Sequence, residues 1–235
     1  MSQFQLITFD LDNTLWNVVP TLIKAEQTLS KWIKTNHPAA GEHYNLTAIQ
    51  NIRIELVTTH PELQHNLTEL RKRTLHAFFQ QAGYSESQAS EHANASFEIF
   101  YNARNEVTYY PGALRCLNRL AKKYTLGALS NGNANIEKVG LNELMSFHFS
   151  AESVGHPKPH REMFDRALAI NNHSPDKCLH IGDHPREDIL AAQDLGFSTL
   201  WINFDKKAWP LDQPPGAELA HWDDCETTIS NLENR

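Results

Sequence analysis

Phe4-Gln5-Leu6-Ile7-Thr8-Phe9-Asp10-Leu11-Asp12-Asn13-Thr14 is the stretch that decides how this chain is read. Its apolar residues crowd at Phe4, Leu6, Ile7, Phe9 and Leu11, a density that predicts a strand over Phe4 to Leu11 buried on both faces, as in a parallel sheet. The run ends abruptly in Asp12-Asn13-Thr14. Asp10 and Asp12 stand one residue apart, so on an extended strand both carboxylates would share a face while Leu11 turns into the core.

Downstream of this strand the pattern changes to helical spacing from about Val18 to Arg104. Leu22, Ala25, Leu29, Trp32 and Ile33 form one apolar stripe, and Leu67, Leu70, Leu75, Phe78 and Phe79 form another that stops at Gly83. Ser85 followed by Gln88 predicts a capping box opening a further helix with Ala89, Ala93, Phe97 and Phe100 on its inner face. Such a stretch is too long for one crossover between parallel strands, so it reads as a separate helical insertion. After Tyr109-Tyr110-Pro111-Gly112, strands and helices alternate. Strands are predicted over Thr125–Ser130, Phe147–Ser150, Cys178–Gly182 and Thr199–Ile202, with helices over Leu114–Leu120, around Met163–Leu168 and around Ala191–Leu195. The Pro-rich segment from Trp209 to Gly216 is expected to be a surface loop and Thr227–Leu232 a short closing helix. The predicted fold is α/β: a Rossmann-like parallel core over residues 1–16 and 108–235, with helices inserted over 17–107.

Composition narrows the function. The chain has 235 residues, 40% of them apolar, and a formal net charge of -7, with no Lys/Arg run longer than Arg71-Lys72-Arg73. Nucleic acid, which needs a basic stripe, is not an expected partner. No stretch approaches the length of a membrane helix, and Asp10 stands where a secretory signal would need an apolar run, so no membrane association and a cytoplasmic location are expected. Cys116, Cys178 and Cys225 are odd in number and far apart, which argues against disulfides and zinc-thiolate sites.

Ligands of open α/β sheets sit at the carboxyl ends of strands. Four polar sets fall there: Asp10-Leu11-Asp12-Asn13-Thr14, Ser130-Asn131-Gly132-Asn133, Lys158 between two prolines, and Gly182-Asp183 with Asp188 beyond. Converged on one edge, Asp10, Asp12, Asp183 and Asp188 would repel one another unless a cation compensated. Hard oxygen ligands suit Mg²⁺, and Lys158 supplies a further positive charge. The set fits phosphoryl transfer, because a carboxylate can become a transient aspartyl-phosphate while its neighbour handles the proton. Ser130 and the main-chain N–H groups around Asn131-Gly132 are placed to hold phosphoryl oxygens.

With these residues in view the chain resembles the haloacid dehalogenase (HAD) superfamily, whose four motifs are D-x-D-x-T, a strand-end Ser/Thr, a Lys and G-D-x-x-x-x-D. They occur here in that order as Asp10 to Thr14, Ser130, Lys158 and Gly182 to Asp188. The resemblance covers nearly the whole chain, and the insertion is similar to the family's smaller helical C1 cap. It implies Asp10 as nucleophile, Asp12 as acid/base, and Ser130 and Lys158 in the catalytic set. Thr14, Ser130, Asn131, Gly132 and Lys158 are implied substrate contacts. Mg²⁺ is implied to be held by Asp10, the main-chain carbonyl of Asp12 and Asp183, with Asp188 behind them. Ser130-Asn131-Gly132-Asn133-Ala134 and Leu179-His180-Ile181-Gly182-Asp183 look closest to phosphatases acting on flavin mononucleotide and related sugar phosphates.

The expected activity is Mg²⁺-dependent hydrolysis of phosphomonoesters of small metabolites, in a monomer or dimer. A haloacid dehalogenase or phosphomutase of the same superfamily and a non-catalytic binding module are the alternatives. Taken singly, Ser130 reads equally as a helix cap, Lys158 as a solvated loop lysine and Asp188 as an acid favoured by a helix dipole. His180 and His184 are four apart but on a strand and in a loop, which speaks against zinc. Trp16 could border the substrate or pack at the hinge of the insertion. Arg71 and Arg73 are candidates for a distal substrate group, or plain exposed helix arginines.

Overall fold

The computed structural model describes residues 3–234. The chain divides into two compact units, Met1–Asn17 with Thr108–Arg235, and Val18–Val107. In the first, six strands form one all-parallel sheet: β1 (Leu6–Phe9), β2 (Thr125–Ser130), β3 (Phe147–Ser150), β4 (Cys178–Gly182), β5 (Ser198–Ile202) and β6 (Ala217–Leu219), in the order β3-β2-β1-β4-β5-β6. This is a Rossmann-like α/β core. β1 is central, pairing Phe9 with Ala128 on one side and Ile181 on the other. All four of its residues are buried, the consequence of helices covering both faces of a parallel sheet.

β1 is shorter than the apolar run predicts. The strand ends at Phe9, and the chain turns through Asn13 at φ 62, a left-handed conformation that asparagine tolerates better than most residues. The strand geometry expected to align Asp10 with Asp12 therefore does not reach Asp12. That residue instead forms an isolated bridge with Trp16. β6, only three residues long and directly after the Pro-rich loop, carries too few residues to announce itself by alternation.

The helical unit contains α1 (Val18–Asn36), α2 (Pro38–Gly41), α3 (Leu46–Thr59), α4 (Leu67–Gln81) and α5 (Glu86–Arg104). Its termini are closed by side chains. Asn45 and Asn66 cap α3 and α4, and Ser85 with Gln88 makes both bonds of the predicted capping box. Its core gathers Leu29, Ile33, Leu75, Phe78, Phe79, Phe97 and Phe100.

Around the sheet lie α6 (Ala113–Leu120), α7 (Ala151–Val154), α8 (Glu162–Asn171), α9 (Ala191–Asp194) and α10 (Cys225–Glu233). A wide π-helical turn, Pro185–Leu190, precedes α9, with Ile189 N–H donating back to His184 at 3.3 Å. Residues between β2 and β3 fold into turns, so there is no helix for Ser130 to cap. No helix among the described residues is long and apolar enough to cross a membrane.

Candidate active site

Asp10 follows β1 directly, its N–H donating to Ile181 of β4 at 2.9 Å, which fixes the residue at the sheet's carboxyl edge. Lys158 arrives from the loop after α7, and its ammonium donates to Asp10 Oδ1 at 2.9 Å and Asp188 Oδ1 at 2.5 Å. All three are buried, with the Lys158 side chain 1% exposed. Burial drives the Asp10 carboxyl well above its ordinary range; Lys158 pulls it back, while Asp188 and Asp183 push it further up. Burial also disfavours the Lys158 ammonium, but Asp10 and Asp188 outweigh that and hold it protonated. Asp188 is buried as well, yet Lys158 and His180 keep it ionised, well below the usual carboxylate range.

Asp183 lies at the end of β4 and is pushed up to about 6 by burial and by Asp188. The Thr14 hydroxyl reaches Asp10 Oδ2 and Asp183 Oδ1, both at 3.2 Å, and its single proton can serve only one at a time. Gly182 is required here: a Cβ would fall 2.4 Å from Asp188 Cγ, so only glycine lets Asp188 pack on the strand end. Oxygens of Asp10, Asp183 and Asp188 lie within 4.8 Å of one another. One lysine cannot neutralise this cluster. A hard divalent cation fits such an all-oxygen, anionic donor set. Both oxygens of Asp188 are already taken by protein donors, Lys158 and His180 on Oδ1 and His184 N–H on Oδ2.

The remaining expected residues fall into two groups. Asp12 is half-buried and accepts a 2.7 Å hydrogen bond from the indole N–H of Trp16. Trp16 is fully buried against Tyr109, so it anchors Asp12 rather than bordering a ligand. Ser130 is buried, and its hydroxyl accepts the Gly132 N–H at 3.0 Å, so that amide is already engaged. The Asn131 side chain bonds to the main chain of Lys158. Within the helical unit, Arg71 donates to Glu26 at 2.9 Å and stacks over Phe100, and Arg73 donates to Glu69, so both arginines are held by neighbours in their own unit.

Three supporting residues escaped sequence reasoning. His180, considered only as a zinc ligand, lies buried between Thr8 (2.8 Å from Nδ1) and Asp188 (3.4 Å from Nε2). Burial lowers its pKa, and the neutral ring then orients Asp188. A histidine inside an apolar strand was the available signal, since a buried polar group needs partners. Trp201 donates its indole N–H to the Asp183 carbonyl at 2.8 Å, and Glu187 accepts from the Asn131 amide; neither carries a sequence signal.

The chain is similar to known proteins over most of its length. The chain matches the family of haloacid dehalogenase-like hydrolases over residues 4–196. It is 30% identical over 202 residues to the 5-amino-6-(5-phospho-D-ribitylamino)uracil phosphatase YigB of Escherichia coli, covering 86% of this chain and 84% of that protein. It is 32% identical over 126 residues to the pyrimidine 5'-nucleotidase YjjG of the same organism, covering 51% of this chain and 54% of that one. The crystal structure of a 2-haloacid dehalogenase from Pseudomonas syringae pv. Tomato superposes with a TM-score of 0.93 at 34% identity, covering 97% of this chain and 99% of that one. With four motifs gathered at one sheet edge and a family match over most of its length, the chain belongs to the haloacid dehalogenase-like hydrolases.

Proposed function

We propose that this hydrolase is a Mg²⁺-dependent phosphatase that cleaves phosphomonoesters of small metabolites through an aspartyl-phosphate on Asp10. The observation that carries this reading is the contrast between its two neighbouring acids. Asp10 is desolvated and paired with Lys158, whereas Asp12 is half-buried and held through one oxygen by Trp16. Carboxylates in such different surroundings suit different tasks, one to attack and one to move a proton.

In the first half-reaction an ionised Asp10 oxygen attacks phosphorus, the bond from phosphorus to the leaving oxygen breaks, and Asp12 gives its proton to the departing alkoxide. Asp12 then takes a proton from water, whose oxygen attacks phosphorus. The bond to Asp10 breaks, inorganic phosphate leaves and both acids return to their starting states. Lys158 favours the ionised form of Asp10 against its burial, and Ser130 with the main-chain N–H of Asn131 orients the phosphoryl oxygens. When bound, Mg²⁺ would be held by Asp10, the main-chain carbonyl of Asp12 and Asp183, and would supply positive charge against the phosphoryl group. Asp188 anchors Lys158 behind them.

The helical unit is read as the family's C1 cap, so substitutions there should change substrate preference more than metal dependence. The relatives named as phosphatase and nucleotidase support a small phosphorylated metabolite as substrate. The acidic composition and three buried free thiols support a cytoplasmic enzyme that does not bind nucleic acid.

Release of inorganic phosphate from an aryl phosphate with Mg²⁺ is expected, abolished by EDTA and reduced on the order of 10⁴-fold or more by Asp10→Asn. Turnover surviving that substitution would sink the covalent mechanism. The neighbour named as a 2-haloacid dehalogenase gives one competing reading. Halide leaves without a proton, so chloride release from a 2-haloacid without Mg²⁺, undiminished in Asp12→Asn, would favour it. A panel including flavin mononucleotide, sugar phosphates and nucleotides would identify the substrate.

A further inference from the structure

We propose that Asn131 is a positioning residue for Lys158, acting through its side chain rather than by touching substrate with it. The inference rests on the reading above only in taking Lys158 to face the reacting group. The Asn131 carboxamide grips both main-chain groups of Lys158: Oδ1 accepts the Lys158 N–H at 2.7 Å, and Nδ2 donates to the Lys158 carbonyl at 2.9 Å. A donor N–H on one side and an acceptor carbonyl on the other leave one possible orientation for the amide. Its second Nδ2 proton goes to Glu187 Oε2 at 2.9 Å, and Glu187 sits in the π-helical turn beside Asp188.

Three chain segments are thereby tied together: the end of β2, the Lys158 loop and the turn that carries Asp188. Geometry matters acutely here because the Lys158 ammonium is buried between Asp10 and Asp188. A shift of the Lys158 main chain would lengthen one of these contacts in a low-dielectric setting where each is strong. The grip resembles a bridge between two strands, supplied by one side chain where no strand pairing exists.

Two measurements on the full chain test this. Asn131→Ala removes both contacts to Lys158, and Asn131→Asp keeps the acceptor while replacing the donor by a charge facing Glu187 and a carbonyl. Hydrogen exchange at the Lys158 amide should accelerate about tenfold in Asn131→Ala, whatever the reaction, because its acceptor is gone. Aryl phosphate turnover should fall on the order of 10- to 100-fold in kcat, with KM changing much less, and further in Asn131→Asp. Glu187→Gln, which keeps an acceptor for Nδ2, should restore most of what Glu187→Ala loses.

A purely structural role would lower activity by the same factor in any background. If Asn131 works through Lys158, its loss should cost far less once Lys158→Arg has already misplaced the cation. Unchanged exchange at Lys158 would overturn the proposal, and so would equal losses in the two backgrounds. If the wild-type protein hydrolysed no phosphomonoester, the phosphatase reading would fail, and exchange at Lys158 alone would decide whether the clasp exists.

Discussion

The buried ion-pair cluster around Lys158 in the α/β unit and the ion pairs of the helical unit lie in different environments. Lys158 and Asp188 meet at side-chain exposures of 1% and 2%, whereas in the helical unit Arg71 and Glu26 meet at 22% and 19%, and Arg73 and Glu69 at 45% and 40%. Apart from Thr21, Thr74, Ser96, Arg104 and Asn105, the buried residues of the helical unit are apolar or aromatic, gathered around Leu75, Phe78 and Phe79. Burying a charge pair costs desolvation that its mutual attraction only roughly recovers. A fold keeps such a pair where its strong, oriented field is used, and elsewhere fills the interior with hydrocarbon.

Breaking the buried cluster should have the largest effect. Lys158→Met leaves Asp10 and Asp188 facing each other without a counter-charge, at an expected cost of about 3–5 kcal/mol and loss of turnover. Urea unfolding would read the first and phosphate release the second. A neutral effect on stability would mean the cluster is wetter than its burial indicates. Phe79→Ala tests the apolar interior. It should cost about 3–5 kcal/mol, felt within the helical unit, while leaving the Mg²⁺ requirement of any residual activity unaltered. Following Trp32, whose ring lies against His37 in the same aromatic cluster as Phe79, would report that unit separately. Arg73→Ala should change stability by only about 0.3–0.5 kcal/mol, the usual worth of an exposed pair one helical turn apart. A loss as large as that of Lys158→Met would erase the distinction between the two regions.

Much of the fold could be read from local pattern. Dense apolar runs located β1, β2 and β4, and helical spacing with a Ser85/Gln88 box located α5. The parts that could not be read are those in which local pattern is weak or misleading. Leu11 continues the apolar run of β1, yet its burial comes from the turn after the strand. β6 is held by pairing with β5, a contact that three residues of sequence cannot express.

The site divides in the same way. Asp10, Lys158, Asp183 and Asp188 were legible because their chemistry demands those residue types at strand ends. The contacts of Trp16, His180, Asn131 and Trp201 were not, although Trp16 and Asn131 themselves stood among the candidates, because each contact depends on a partner far away in sequence or on an orientation that sequence does not encode. His180, for example, links Thr8 of β1 to Asp188 only because β1 and β4 are neighbours in register.

The order of residues alone determined the α/β class, the helical insertion and the set of acids and lysine able to do chemistry, since periodicity and spacing are local properties. Tertiary structure decided which oxygen faces which donor, how deeply each charge is buried and which side chains hold the reactive ones in place. Those depend on distance and dielectric, and neither exists until separate strands are brought to one edge.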